Sequence, residues 1–362
     1  MALRWQTALP ALFWSWAAIA GESLSDPSSF IRFSEPPRHL SDAAFSPAGD
    51  RLFAADLRSQ SIAAFDLQGR RVRTVKHVGV GELDINNPVS LTPWPGGYFL
   101  NDGGLHLLWL DAALTPKRGW YLPDRQNTVP DARKVASNRG RVLEIAVWQA
   151  APIGERSALL TGDYLDAKGW RSGVARLDDG DPLRLTILAE RPVDNPSYLY
   201  ELNLRPSLAR AGNGLYELRF GGSPAIQRLS PAPERIPLPR PFEAPLPSLA
   251  GMGGRGQALA LFARLRTLRL PVALHGWRDD LYLVTWTPRP GAGLRWDLWR
   301  RAGADWRGPF QIEAPPGARD VRAVPGPSRW AFVFLAAPRD PEHQDVLGFR
   351  LIDSSILERS LR

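Results

Sequence analysis

The chain has 362 residues, 44% of them hydrophobic and 23% charged, with a net charge of +8; this globular balance excludes disorder along the whole length. Pro and Gly supply 66 positions, and because Pro breaks the helical ladder and Gly weakens it, an architecture of long helices is excluded in favour of short strands and turns. Cysteine is absent, which rules out disulfides, thiolate catalysis, Cys-ligated zinc and a lipidated N-terminal Cys.

In chain order, the first element is residues 1–20, MALRWQTALPALFWSWAAIA. Arg4 precedes an apolar run from Leu9 to Ala20 that ends in Ala18-Ile19-Ala20, the arrangement of a cleavable signal peptide and too short for a membrane span. The expectation is export to the periplasm or beyond the cell, with residues 21–362 forming one domain that retains no membrane span.

From residue 42 the sequence repeats itself. Residues 42–75, DAAFSPAGDRLFAADLRSQSIAAFDLQGRRVRTV, read as four short strands parted by Pro-Ala-Gly-Asp and Asp-Leu-Gln-Gly turns, the pattern of consecutive antiparallel hairpins. Residues 87–122 repeat the order of parts, with Gly96-Gly97 in the place of Gly49 and Leu110-Asp111 in the place of Phe65-Asp66. Weaker copies open at Asp131, with Leu177-Asp178 ending a third strand, and at Arg205, Pro271 and Asp320. Six four-stranded units predict an all-β fold, a six-bladed β-propeller whose small sheets cover one another's faces around an axis. The last unit lacks a fourth strand of its own, and Phe30-Ile31-Arg32-Phe33 precede the first, so the N-terminal segment is expected to close the ring. Residues 246–265 resemble the start of another unit but lie only 25 positions before the next. They read as an insertion or distorted blade; seven blades is the alternative count.

The first unit, with LFAADLRSQSIAAFDLQG, resembles a blade of the six-bladed TolB-like or NHL-like propellers, a superfamily that includes the metal-dependent lactonases related to regucalcin. The likeness runs over about residues 40–122. It implies an architecture more than a chemistry, because propellers host enzymes and binding modules alike. In the lactonases a Glu, an Asn and an Asp hold one divalent ion in the central funnel. On that comparison Asp42 stands where the Glu would, the segment Val129-Pro130-Asp131-Ala132-Arg133 retains at best Asp131, and no carboxylate occupies Pro271–Leu274 where the late Asp would fall.

Other chemistry finds little support. The five His (His39, His77, His106, His275, His343) stand singly, without helix-type zinc spacing. No G-x-S-x-G elbow or phosphate loop occurs. Only four of the 45 basic residues are Lys, and the Arg clusters are short, so the charge reads as an Arg-for-Lys bias and predicts no nucleic-acid partner. Eleven of the 14 Trp lie beyond residue 20; packing between blades is the expected use, and stacking on sugars the other one.

Innermost strands line the axis of a propeller, and the residues just before them ring one mouth. Reading each unit backwards from its turn places Asp42, Asn87, Asp131, Arg205 and Asp320 there. Such a ring suits a polar or cationic ligand, or a hard cation such as calcium, although Asp and Asn also favour strand ends for local reasons. The sequence therefore reads as an exported, monomeric binding module without a cofactor, whose partner is an envelope protein, a glycan or a small ligand; the alternative is a lactonase-like metal-dependent hydrolase using the funnel.

Overall fold

Alternating apolar runs and turn residues dictate short antiparallel strands, and every sheet follows from them. The computed structural model describes residues 30–76, 81, 83–123, 132–138, 140–191, 207–219, 224–239, 264–289, 293–336 and 345–361. Strand β1 (Phe30–Ile31) comes first. Blade 1 is β2 (Leu40–Phe45), β3 (Arg51–Asp56), β4 (Ser61–Asp66) and β5 (Arg71–Val75). Blade 2 is β6 (Pro88–Trp94), β7 (Gly97–Asp102), β8 (His106–Asp111) and β9 (Pro116–Tyr121). A short β10 (Val135–Ser137) precedes blade 3, whose strands are β11 (Gly140–Gly154), β12 (Ser157–Asp166), β13 (Gly169–Asp178) and β14 (Leu183–Arg191). Blade 4 is β15 (Ser207–Ala211), β16 (Gly214–Arg219), β17 (Ala225–Ser230) and β18 (Glu234–Ile236). Blade 5 is β19 (Leu270–Trp277), β20 (Asp280–Arg289), β21 (Gly293–Ala302) and β22 (Asp305–Ile312). In blade 6, β23 (Ala318–Pro325), β24 (Arg329–Ala336) and β25 (Val346–Asp353) are completed by β1.

The first strands of successive blades lie side by side, β2 to β6, β11, β15, β19, β23 and back to β2. The chain is thus a six-bladed propeller. The expected closure is present: Phe30 opposes Arg350 and Ile31 opposes Phe349. Gly348 and Gly69 flank this strand at positive φ, and a Cβ on either would strike the carbonyl oxygen of Ile31 or Arg32. Only glycine admits the closing strand that closely.

Blade faces cover each other with apolar side chains. Phe45, Leu52 and Phe65 of blade 1 meet Val333, Leu335 and Phe349 of blade 6; Phe53 meets Tyr98 of blade 2 at a ring separation of 5.3 Å. Trp330 of blade 6 lies 4.7 Å from Tyr282 of blade 5. Each such side chain, fully buried, contributes about 1.5–3 kcal/mol, so the large aromatics hold the blades together. A helix, α1 (Ser354–Ser360), follows β25 and adds Leu357 to the core shared by blades 4, 5 and 6.

Blade 3 departs from the sequence expectation. Its unit was expected to open at Asp131, yet the inner strand is β11; β10 pairs antiparallel with β11 and parallel with β14, closing this sheet on itself. The hairpin from Ser137 to Gly140 imitates the first turn of a regular blade, and the 15-residue β11 behind it has no counterpart in blades 1 and 2. Residues 1–29, among them the expected signal peptide, and 240–263 lie outside the described residues.

Candidate functional site

Register defines the mouth of the ring. Leu40 opposes Asp56, Pro88 opposes Asp102 and Val142 opposes Asp166, and in each inner strand the following residue (Ser41, Val89, Leu143) is an unpaired bulge. Inner strands β19 and β23 carry the same bulge at Val272 and Arg319. A bulge re-aims the residue after it, and the residues so placed are Asp42, Ser90, Glu144, Ala273 and Asp320.

Asp42 and Asp320 therefore occupy corresponding positions. Asp42 Oδ1 accepts the amide N–H of Ala43 at 2.9 Å, and its Oδ2 accepts that of Leu91, in the next blade, at 2.8 Å. Asp320 Oδ1 accepts the Val321 amide at 2.8 Å, while Oδ2 stands 3.2 Å from Arg322 Nη1. Both carboxylates are pinned to their own strand by the same bond. In blade 3, Gln149 Oε1 accepts the Leu208 amide of blade 4 at 2.7 Å, a second acceptor reaching across to an inner-strand amide of the neighbouring blade. Such acceptors satisfy backbone donors on edges that no further strand covers.

Asn87 lies three positions before Ser90, the residue in register with Asp42. It is exposed, and its backbone N–H, with that of Asn86, is captured by the Asp102 carboxylate. Asp131 and Arg205 fall outside the described residues. Blade 5 places Ala273 after its bulge, so the Pro271–Leu274 stretch brings no carboxylate to the mouth. Among the described residues no three His, Asp or Glu side chains come together as a metal group.

The carboxylates that organise the strand entrances are ones the sequence reading passed over. Asp56, 3% exposed at the end of β3, accepts the N–H groups of Arg38 at 2.9 Å and His39 at 3.0 Å. Asp102, in the same place on β7, binds the entrance to β6 and lies 3.3 Å from His106 Nδ1. The signal was available, since the second strands end alike in Ala54-Ala55-Asp56, Asn101-Asp102 and Leu165-Asp166. On β19, His275 stands edge-on to Trp330 at 6.1 Å. The residue is half-buried, and its Nε2 is buried with no hydrogen-bond partner among the described residues. Burial, with the Arg322 charge adding to it, pulls its pKa down to about 4, so it is neutral at pH 7.

No protein-family model matches the chain, and no curated protein sequence matches it. Among solved structures it is similar to a member of the DUF4221 family from Bacteroides vulgatus, at 11% identity and a TM-score of 0.54, over 89% of this chain and 96% of that one. It is also similar to the calcium-binding protein regucalcin from Agrobacterium tumefaciens, at 10% identity and a TM-score of 0.43, over 89% of this chain and 95% of that one. At such identities the first likeness speaks for the fold alone.

Proposed function

We propose that this protein is an exported binding module that engages a polar partner, an envelope protein, glycan or small ligand, at the axial mouth. The observation that carries the reading is the equivalence of Asp42 and Asp320, two carboxylates at one register position, each held by the following backbone amide. Acceptors locked in this way present a fixed pattern to a partner and lose little freedom on binding. Export rests on residues 1–20, and the chain recovered from the cell envelope should begin at Gly21 by intact mass. Binding is tested by placing a photo-crosslinking residue at Arg319, the exposed bulge beside Asp320, and another at Val72, exposed on the outermost strand of blade 1. Adducts should form from position 319 and not from 72, and should disappear in the Asp42→Asn, Asp320→Asn double variant. Equal adducts from both positions, or none from 319, would overturn the assignment.

A further inference from the structure

The two faces of blade 3 carry different chemistry. Strand pairing sets Asp163 directly opposite Ser172 and Thr161 opposite Val174, and paired residues share a face. Val174 and Leu159 pack on Leu208 of blade 4, so Thr161, Asp163 and Ser172 look toward blade 4 as well. Gln149, in register with Thr161, reaches across that seam to the Leu208 amide. Blade 4 answers in kind. Leu208 opposes Glu217, so Glu217 faces blade 3; it is 0% exposed and ion-paired to Arg219 Nε at 2.5 Å. The seam is apolar at its base and polar above.

Two features of this polar part point to a ligand. Thr161 and Ser172 are each 1% exposed, yet Thr161 Oγ1 and Ser172 Oγ make no hydrogen bond among the described residues. A buried hydroxyl left unmet costs free energy comparable to a lost hydrogen bond, and natural sequences keep such groups where something else satisfies them. The second feature is Trp170. It stands two residues before Ser172 on the same face of β13, about 7 Å further up the strand, and at 41% exposure is the one exposed Trp among the described residues. Asp163 and Glu217 share this face with Arg176, Arg210 and Arg219, a mixture of signs that singles out neither an anion nor a cation. Hydroxyls, an amide and carboxylates beneath an open indole fit a neutral polyol with one apolar face.

We infer that the seam between blades 3 and 4 is a carbohydrate subsite: one sugar ring stacks on Trp170 and bonds through its hydroxyls to Ser172 and Asp163, and the next ring of the glycan meets Thr161, two positions deeper on the same face. This site is distinct from the axial mouth and does not rest on it. The test is calorimetric titration of the full mature chain with N-acetylglucosamine, cellotriose and maltotriose, with spermidine as a cationic control. At least one sugar binds saturably. Trp170→Ala weakens it roughly fivefold or more, the scale of a lost aromatic contact. Thr161→Val with Ser172→Ala weakens it by a similar factor while leaving the thermal midpoint unchanged or raised, which a purely structural role would not do. Asp320→Asn, at the mouth, leaves sugar binding intact, so failure here and failure of the mouth reading are separable. Absence of binding by all three sugars, binding indifferent to Trp170→Ala and the hydroxyl variants, or a site that takes spermidine instead would overturn the inference.

Discussion

The same four strands of blade 3 build two unlike seams. Toward blade 2, seventeen buried residues form one cluster, with Trp109 and Trp120 packed edge to face at 4.4 Å and Val142, Ile145 and Leu160 filling around them. Toward blade 4, the cluster among the described residues has three fully buried members, Leu159, Val174 and Leu208, with partly buried Ala151, Ile153, Ala189, Leu215 and Leu229 around them. Strand periodicity makes this possible, because alternate side chains go to opposite faces and each face evolves its own composition. An apolar seam anchors the blade; once anchored, its other face is free to carry polar groups that add little to folding. Blade 3 is thus held from one side.

The largest effect expected from this contrast concerns Trp120. Trp120→Ala should lower stability by about 3–5 kcal/mol, as for other fully buried large side chains, whereas Leu208→Ala at the sparse seam should cost only about 2 kcal/mol. Urea midpoints of the two variants measure the difference, and equal losses would mean that the seams are energetically alike.

A smaller effect asks whether a polar group inside an otherwise apolar seam behaves differently again. His275 opposes Tyr282 and abuts Trp330 between blades 5 and 6. Its pKa is about 4 in the folded chain and near 6.5 in an unfolded one. Between those values the unfolded chain takes up a proton that the folded chain refuses, so stability falls as pH drops from about 6.5 to 4. The residue is only half-buried, which moderates the loss to the order of 2 kcal/mol. His275→Gln should flatten that part of the stability–pH profile, measured by denaturant titration at successive pH values; an unchanged slope would assign the acid sensitivity elsewhere.

The smallest effect separates polar groups that support the ring from those that do not. Asp42→Ala removes the acceptor of two backbone amides and should cost about 1–2 kcal/mol. Asp42→Asn, which keeps one acceptor oxygen, should cost less. Thermal midpoints that rank the two variants otherwise would show that the carboxylate does not brace the inner strands.

Much of the architecture was legible because blades 1 and 2 obey local rules. Ser46-Pro47-Ala48-Gly49-Asp50 and Pro95-Gly96-Gly97 mark the first hairpins, and Asp66 and Asp111 close the third strands, each accepting backbone N–H groups of the turn that follows. Phe30-Ile31 was readable as the missing strand because the last unit visibly lacked one. Blade 3 was harder, since the Ser137–Gly140 hairpin carries the same turn chemistry as a true blade opening. At the mouth, Asp42 and Asp320 could be found by their place in the repeat. Asn87 stands three positions before Ser90, the residue in register with Asp42, because register is set by strand pairing and not by distance from the turn. The polar seam escaped notice for a related reason: which face Thr161 and Ser172 share with Leu208 depends on pairing, and pairing is a long-range property.

The closing strand gives the molecule an all-or-none character during synthesis. Ile31 must find Phe349 across 318 intervening steps of chain, a contact whose loop-closure entropy is met only after every blade between them exists. A chain that stops before β25 leaves β24 and β1 without the strand that joins them, and an open sheet edge of that kind invites misassociation. Ring closure thus makes the seams on either side of blade 6 depend on two strands from opposite ends of the described chain.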